Sequence, residues 1–351
     1  MKSVNEILKM NEPYELFTGD LDLAKKEYLE LMKKYHPDKN GRLEIYSEVS
    51  TKINELYLKC TDLLNSGKWL EPGLLSIKGV DDKGKQNTYT LKYKINRAFE
   101  LGTYYIGTTS VVYLIDKKHE NFIKNMEDIL NNLKYADSKM ETDFKPLSTK
   151  IITKFNTNDN RIGIVLYKGA DVYSLRDILT YYDGKVDPKH VAWILGCLYN
   201  LACFYKYNDI THCGITLDNC FVSPSMHSTM MIGGFWYSKK IKEKLIGVPS
   251  DVYSVMPNSV KKSKESQAII DLESIRLIGR TLLGDKNGIL LVNDSNIPNP
   301  LRNWVRGMSG TCTFKEYEKW TKCILDSFGQ RKFIEMNIDE KKLLNKIEGR
   351  N

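Results

Sequence analysis

The sequence predicts a multidomain α+β protein: an N-terminal α-helical hairpin, then a larger portion in which strands come first and helices follow. Three observations predict this. Apolar residues repeat at helical spacing on both sides of a His-Pro-Asp tripeptide at 36–38. Near Tyr89 the period changes to strand-like alternation, and from Asp187 it returns to a helical one. A chain of 351 residues, 42% hydrophobic and 11% aromatic, has length for two domains and enough apolar surface for packed cores.

The hairpin is the sharpest local signal. Tyr28, Leu31, Met32 and Tyr35 stand at i, i+3, i+4 and i+7, one apolar stripe, while Lys25, Lys26, Lys33 and Lys34 leave the other faces basic. Pro37 lacks a backbone donor and pushes His36 out of helical geometry, so the helix ends there. His36 and Asp38 are then displayed on a loop, where polar side chains can meet a partner. Beyond the loop Ile45, Val49, Ile53, Leu56, Cys60 and Leu63 mark a second helix containing KINELY, Lys52 to Tyr57. Residues 3–16 form a short first helix broken at Pro13.

Helix, tripeptide and following helix resemble the J domain of DnaJ-type co-chaperones over residues 1–68. The resemblance implies a helical hairpin that recruits a DnaK-type seventy-kilodalton heat-shock chaperone and stimulates its ATPase. His36, Pro37 and Asp38 would insert at that chaperone's domain junction, with Lys25, Lys33 and Lys34 on the docking face. The sequence departs from the family at Leu29 and Glu30, positions that are commonly basic there.

NSGKWLEPG, Asn65 to Gly73, reads as a domain exit with Trp69 as a packing anchor, and residues 69–87 as a linker ending in the turn-rich Gly79 to Gly84. From Tyr89 the chain alternates through YYIGTTSVVYLID. A helix follows at Asn121 to Leu133, then strands around Lys150 to Phe155 and Arg161 to Lys168. Asp187-Pro188 is an N-cap followed by proline at the first helical position, opening a helix whose apolar face runs from Val191 to Tyr205. Asp271 starts another amphipathic helix, and Pro298 to Trp304 and Tyr317 to Phe328 complete the helical part.

Five strands with a helix after the third, then ITHCGITLDNCFVSPSMHSTMMIGGFWYS, resemble a bilobal protein kinase: catalytic loop, two short strands and metal-binding turn. The resemblance covers roughly Tyr89 to Ile338, with a small lobe at 88–170, a large lobe at 171–342 and a tail at 343–351. Carried over residue by residue, the catalytic aspartate falls on Gly214 and the metal-binding aspartate on Gly233. The phosphate-binding lysine falls on Leu114, and its glutamate partner on Met126 or Glu127. Only Gly102 and Gly107, flanking Tyr104 and Tyr105, stand for the glycine loop. Asn219 and His212 are retained. Phosphoryl transfer rests on positioned charge, and each such loss removes several kcal/mol of transition-state stabilisation, so the resemblance implies a pseudokinase, with no cofactor and no bound metal. Asp116, Asp209 and Asp218 lie near the right regions to replace lost carboxylates, but turn and surface roles are the plainer reading.

The implied function is a co-chaperone whose pseudokinase half holds a client or target protein. An atypical kinase-like enzyme with relocated acidic residues and a purely structural scaffold stay open. The net charge of +8 carries no arginine-rich block, which speaks against a nucleic-acid role. The seven cysteines include no C-x-x-C pair and match no zinc spacing; Cys213 and Cys220 read as small buried hydrophobes. A start without an apolar signal core, and no apolar run of about 20 residues, lead to the expectation of a cytoplasmic protein. Composition rich in Lys, Asn, Ile and Tyr, with the two segments joined, resembles a bacteriophage arrangement acting in host cytoplasm.

Overall fold

The computed structural model describes residues 2–41, 43–66, 69, 73–81, 83–330 and 332–347. The chain divides into two compact units, Met1–Gly79 with Gln86–Tyr93, and Val80–Lys85 with Lys94–Asn351.

The first unit opens with α1 (Val4–Leu8) and a 3-10 turn at Pro13–Glu15, followed by α2 (Leu21–Tyr35) and α3 (Glu44–Asn65). Asp20 caps α2 by accepting N–H bonds from Asp22 and Leu23. The helix stops at Tyr35, and His36 is extended at ψ 133°, as the following proline requires. The two helices run antiparallel: Tyr28 stacks on Tyr57 at 4.2 Å and donates to Asn54 Oδ1 at 2.7 Å, while Ser50 donates to the Tyr35 carbonyl. Leu31, Tyr35, Val49, Ile53, Leu56 and Cys60 are buried in one cluster, with Tyr28, Met32 and Trp69 against it. Ile45, expected on the same stripe, is 41% exposed because it lies in the first turn of α3, past the end of α2. The expected linker 69–87 is largely ordered backbone: β1 (Leu74–Asp81) fills it and β2 (Gln86–Lys92) begins in it. Gly67, Lys68 and residues 70–72 of the expected domain exit lie outside the described residues.

In the second unit β3 (Ile95–Phe99), β4 (Gly102–Ile106) and β5 (Ser110–Asp116) precede α4 (Glu120–Asn131) and α5 (Ser138–Phe144). β6 (Ile151–Thr157) and β7 (Arg161–Tyr167) follow, giving the antiparallel order β6-β7-β5-β4-β3. The helical part begins with β8 (Tyr173–Ser174), α6 (Leu175–Tyr181) and α7 (Pro188–Tyr207). Short strands β9 (Ile210–Thr211), β10 (Cys220–Ser223), β11 (Ser228–Met231) and β12 (Lys239–Lys240) carry the loops of the site. Then come α8 (Ser250–Val255), α9 (Asn258–Ser263), α10 (Ile269–Leu282), α11 (Asn299–Arg306), α12 (Thr313–Phe328) and α13 (Glu340–Ile347). α7 is buried along most of its length, with α10 and α12 packed on it. Part of the expected tail is therefore helix: α13 lies on α6, where Lys346 donates to the Tyr181 carbonyl and pairs with Asp183. Among the described residues no helix is long and apolar enough to cross a membrane.

Candidate functional site

The loop 212–219 and the turn 232–235 are brought together by backbone and buried polar groups. Asp271, in the first turn of α10, accepts the N–H of His212 at 2.7 Å and of Cys213 at 2.9 Å. Burial pushes its carboxyl up to about 7, against the pull of those two N–H groups. His212 is fully buried, edge-on to Phe235 at 4.5 Å, and its Nδ1 accepts the Gly214 N–H. Burial lowers its imidazole to about 3, so the ring is neutral and works as packing. Asn219 Nδ2 donates to the Gly214 carbonyl at 2.9 Å, closing the loop on itself. His212, Gly214, Asn219 and Gly233 thus lie on two adjoining segments, the loop 212–219 and the turn 232–235.

The two glycines are required by their surroundings. A Cβ on Gly214 would stand 2.8 Å from the Gly234 carbonyl oxygen. Gly233 has φ +88°, and a Cβ there would stand 2.5 Å from Tyr113 Oη. Neither position admits a carboxylate side chain without movement of its neighbours.

The sheet corrects several expectations. Leu114 is fully buried on β5, but strand alternation turns it away from Tyr113, and Tyr113 is the residue of this strand that lines the cleft. Tyr113 donates to the Ile232 carbonyl at 3.3 Å. Gly102 and Gly107 do not flank a loop: they lie at opposite ends of β4, which holds Tyr104 and Tyr105 in regular pairing. Gly102 is needed for close approach, since a Cβ would fall 2.0 Å from the Leu114 carbonyl oxygen. The turn over the cleft is Glu100-Leu101, and Glu100 accepts from Tyr237 Oη and the Ser250 N–H, each at 3.3 Å. Met126 is buried in the core, and Glu127 pairs with Lys154 of β6 at 2.5 Å rather than with any group on β5.

Within the cleft, aromatic rings and ion pairs occupy the space. Tyr113 stacks on Tyr104 at 5.4 Å and meets Phe99 and Trp236 edge-on at 5.4 and 4.7 Å. Asp218 is held by a two-pronged Arg176 guanidinium, Nε and Nη2 each at 2.5 Å, and by Tyr104 Oη at 2.7 Å. Burial pushes Asp218 up, but Arg176 and Tyr104 outweigh it and hold the carboxyl below its ordinary value. Arg97 likewise pairs with buried Asp177 at 2.6 Å. What remains open is a cavity of about 190 Å³, below the ~300–1,000 Å³ of typical small-molecule sites. Asp116 and Asp209 are elsewhere, paired with Lys118 and Lys206 on the surface. Among the described residues no cluster of His, Cys, Asp or Glu has metal-holding geometry.

Sequence reasoning missed Tyr113, Tyr104 and Arg176. The alternation within SVVYLID was the available signal for Tyr113. Nothing local marks Arg176, which lies 42 residues from its partner Asp218.

At the hairpin tip Pro37–Lys39 make one 3-10 turn, and His36 Nδ1 accepts the Asp38 N–H at 3.2 Å. Asn40 Nδ2 donates to the carbonyls of Lys34 and His36, fixing the exit of α2. The His36 and Asp38 side chains are 46% and 64% exposed and 3.7 Å apart. Lys25 and Lys33 are exposed on α2, and the Lys34 ammonium lies over the Tyr35 ring.

No family model matches the sequence, and no curated protein matches it. Over 74% of its length the chain is similar to the solved structure of vaccinia related kinase 3, at 15% identity and a TM-score of 0.45, covering 92% of that chain. It is also similar, again over 74%, to the crystal structure of a rhoptry kinase from Toxoplasma gondii, at 10% identity and a TM-score of 0.49, covering 86% of that chain.

Proposed function

We propose that the chain is a non-catalytic adaptor. Its second unit is a protein-kinase-like fold emptied of phosphoryl-transfer chemistry, and its first unit presents His36-Pro37-Asp38 to a DnaK-type chaperone. The fold reading is supported by the antiparallel strands β3 to β7 with α4 and α5 between the third and fourth of them, then a helical part whose buried aspartate grips the loop 212–214.

One observation carries the non-catalytic reading: the two positions that would hold the catalytic and metal-binding carboxylates are glycines with no room for a side chain, and Tyr113 stands against one of them. Asp218, which lines the cleft, is already neutralised by Arg176. A nucleotide would have to displace that pair and the stacked tyrosines. The co-chaperone half rests on the helical hairpin with the tripeptide at its tip, and the second unit would then hold the client protein. A bacteriophage product drawing on a host chaperone would have this arrangement.

Two measurements test this. Magnesium-ATP at millimolar concentration should leave the melting temperature of the full chain unchanged; clear stabilisation would restore the enzyme reading. Single-turnover ATP hydrolysis by a purified DnaK-type chaperone should be stimulated by the intact chain and not by His36→Gln. Absence of stimulation across several bacterial chaperones would leave a scaffold without that partner.

A further inference from the structure

A second, larger cavity adjoins the segment Ile232–Gly233, with a volume of about 700 Å³. That volume lies inside the ~300–1,000 Å³ range of drug-sized ligand sites, whereas the cleft does not reach it. Its apolar walls are Leu130 in the last turn of α4, Leu133 and Tyr135 after it, and Met230 and Ile232 on and after β11.

The charged groups around it are unbalanced. Lys145, Lys150 and Lys168 line the cavity against a single acid, Glu141. Glu141 is taken by Lys145 at 2.7 Å. Lys168 is buried and donates to the carbonyls of Gly169 and Val172. Lys150 is exposed, its ammonium 5.6 Å from the Tyr167 ring centroid, and no carboxylate among the described residues pairs with it. An apolar chamber with an uncompensated cation beside it is complementary to a molecule that is apolar in the body and negative at one end.

We infer that this cavity binds a small amphipathic anion, an aliphatic or aromatic body carrying one carboxylate. The body packs against Leu130, Leu133, Met230 and Ile232, and the carboxylate meets Lys150. The site is separate from the proposed adaptor surfaces and does not depend on them. It does touch the cleft: Ile232 forms a wall of the cavity while its carbonyl accepts the Tyr113 hydroxyl. Thr149, also on the wall, accepts the Gly233 N–H and donates to the Met231 carbonyl. A ligand here therefore bears on the same segment that closes the cleft.

The test is calorimetric titration of the full chain at neutral pH with three probes of one length, decanoate, 1-decanol and decylammonium. Decanoate should bind saturably and about tenfold tighter than the alcohol, as one charge-assisted hydrogen bond implies, with decylammonium weakest. Lys150→Met should remove the preference for decanoate and leave decanol affinity as it was. Met230→Trp should weaken all three probes by filling the chamber. Leu133→Trp serves the same purpose from the opposite wall if Met230→Trp lowers the melting temperature. Equal binding of the three probes, no saturable decanoate binding, or full decanoate affinity in a folded chamber-filling variant would overturn the assignment.

Discussion

Gly233→Asp, which would place a carboxylate in the turn 232–235, should unfold the site. Two costs are set by the structure. Gly233 has φ +88°, where an L side chain is strained by about 1–2 kcal/mol. Its Cβ would also stand 2.5 Å from Tyr113 Oη and 3.0 Å from the Trp236 ring, overpacking of a kind that costs about 1–3 kcal/mol. Together these predict a loss of about 2–5 kcal/mol, before any cost of burying the carboxylate. For a domain of this size each kcal/mol lowers the melting temperature by roughly 2–4 °C, so a fall of roughly 5–20 °C is expected. Tyr113→Lys alone should also destabilise, because it removes the ring that Phe99, Tyr104 and Trp236 pack against. The informative quantity is the double variant. Tyr113→Lys removes the clashing hydroxyl and offers the introduced carboxylate an ammonium, so urea denaturation of the four-member cycle should show favourable coupling of about 1–3 kcal/mol. A near-neutral Gly233→Asp, or strictly additive effects, would refute the reasoning that Tyr113 and Gly233 are matched to each other.

Further expectations can be checked on the same footing. Gly214→Asp should cost about 1–3 kcal/mol from its contact with the Gly234 carbonyl and yield no ATP hydrolysis in a sensitive phosphate-release assay. Arg276→Met should cost about 3–5 kcal/mol in urea denaturation, because Glu316, 2% exposed and bonded to Arg276 Nη2 at 2.5 Å, is left as a lone buried charge. Stability should also respond to acid through His212. Its folded-state value of about 3 lies below the ordinary 6.5, so the unfolded chain takes up the proton first, and stability is lost as pH falls from about 6.5 towards 3. Asp271, raised to about 7, acts in the opposite direction, its contribution falling as pH rises from about 4 to 7. Denaturation curves of wild type minus His212→Phe should isolate the first slope, and a flat difference across pH 3–6.5 would count against a buried neutral imidazole.

The hairpin was readable because its determinants are local. Pro37 ends α2 wherever the rest of the chain goes, and the apolar stripe of α2 is the face that becomes buried. Ile45 departs because periodicity reports a helix face but not where the partner helix stops. The positions of the strands along the second unit are equally legible from alternation, yet the face is not. Assigning Leu114 to the cleft was a slip of one residue, and with a period of two such a slip turns every side chain to the other side. The kinase resemblance places Gly102 and Gly107 in a glycine loop, but they lie at opposite ends of β4. Here Gly102 is required by the close approach of β5.

The sequence by itself determined where side chains are lacking and where the period changes. Gly214 and Gly233 are glycines in any fold, and the period changes near Tyr89 and Asp187 are carried by neighbours a few residues apart. Tertiary structure decided what surrounds those glycines. Tyr104 meets Asp218 across 114 positions and Arg176 meets it across 42, while Tyr113 reaches Ile232 across 119. Such pairs leave no periodic trace, because no local preference selects them; they exist only once burial brings a donor and an acceptor together and neither can be left unpaired.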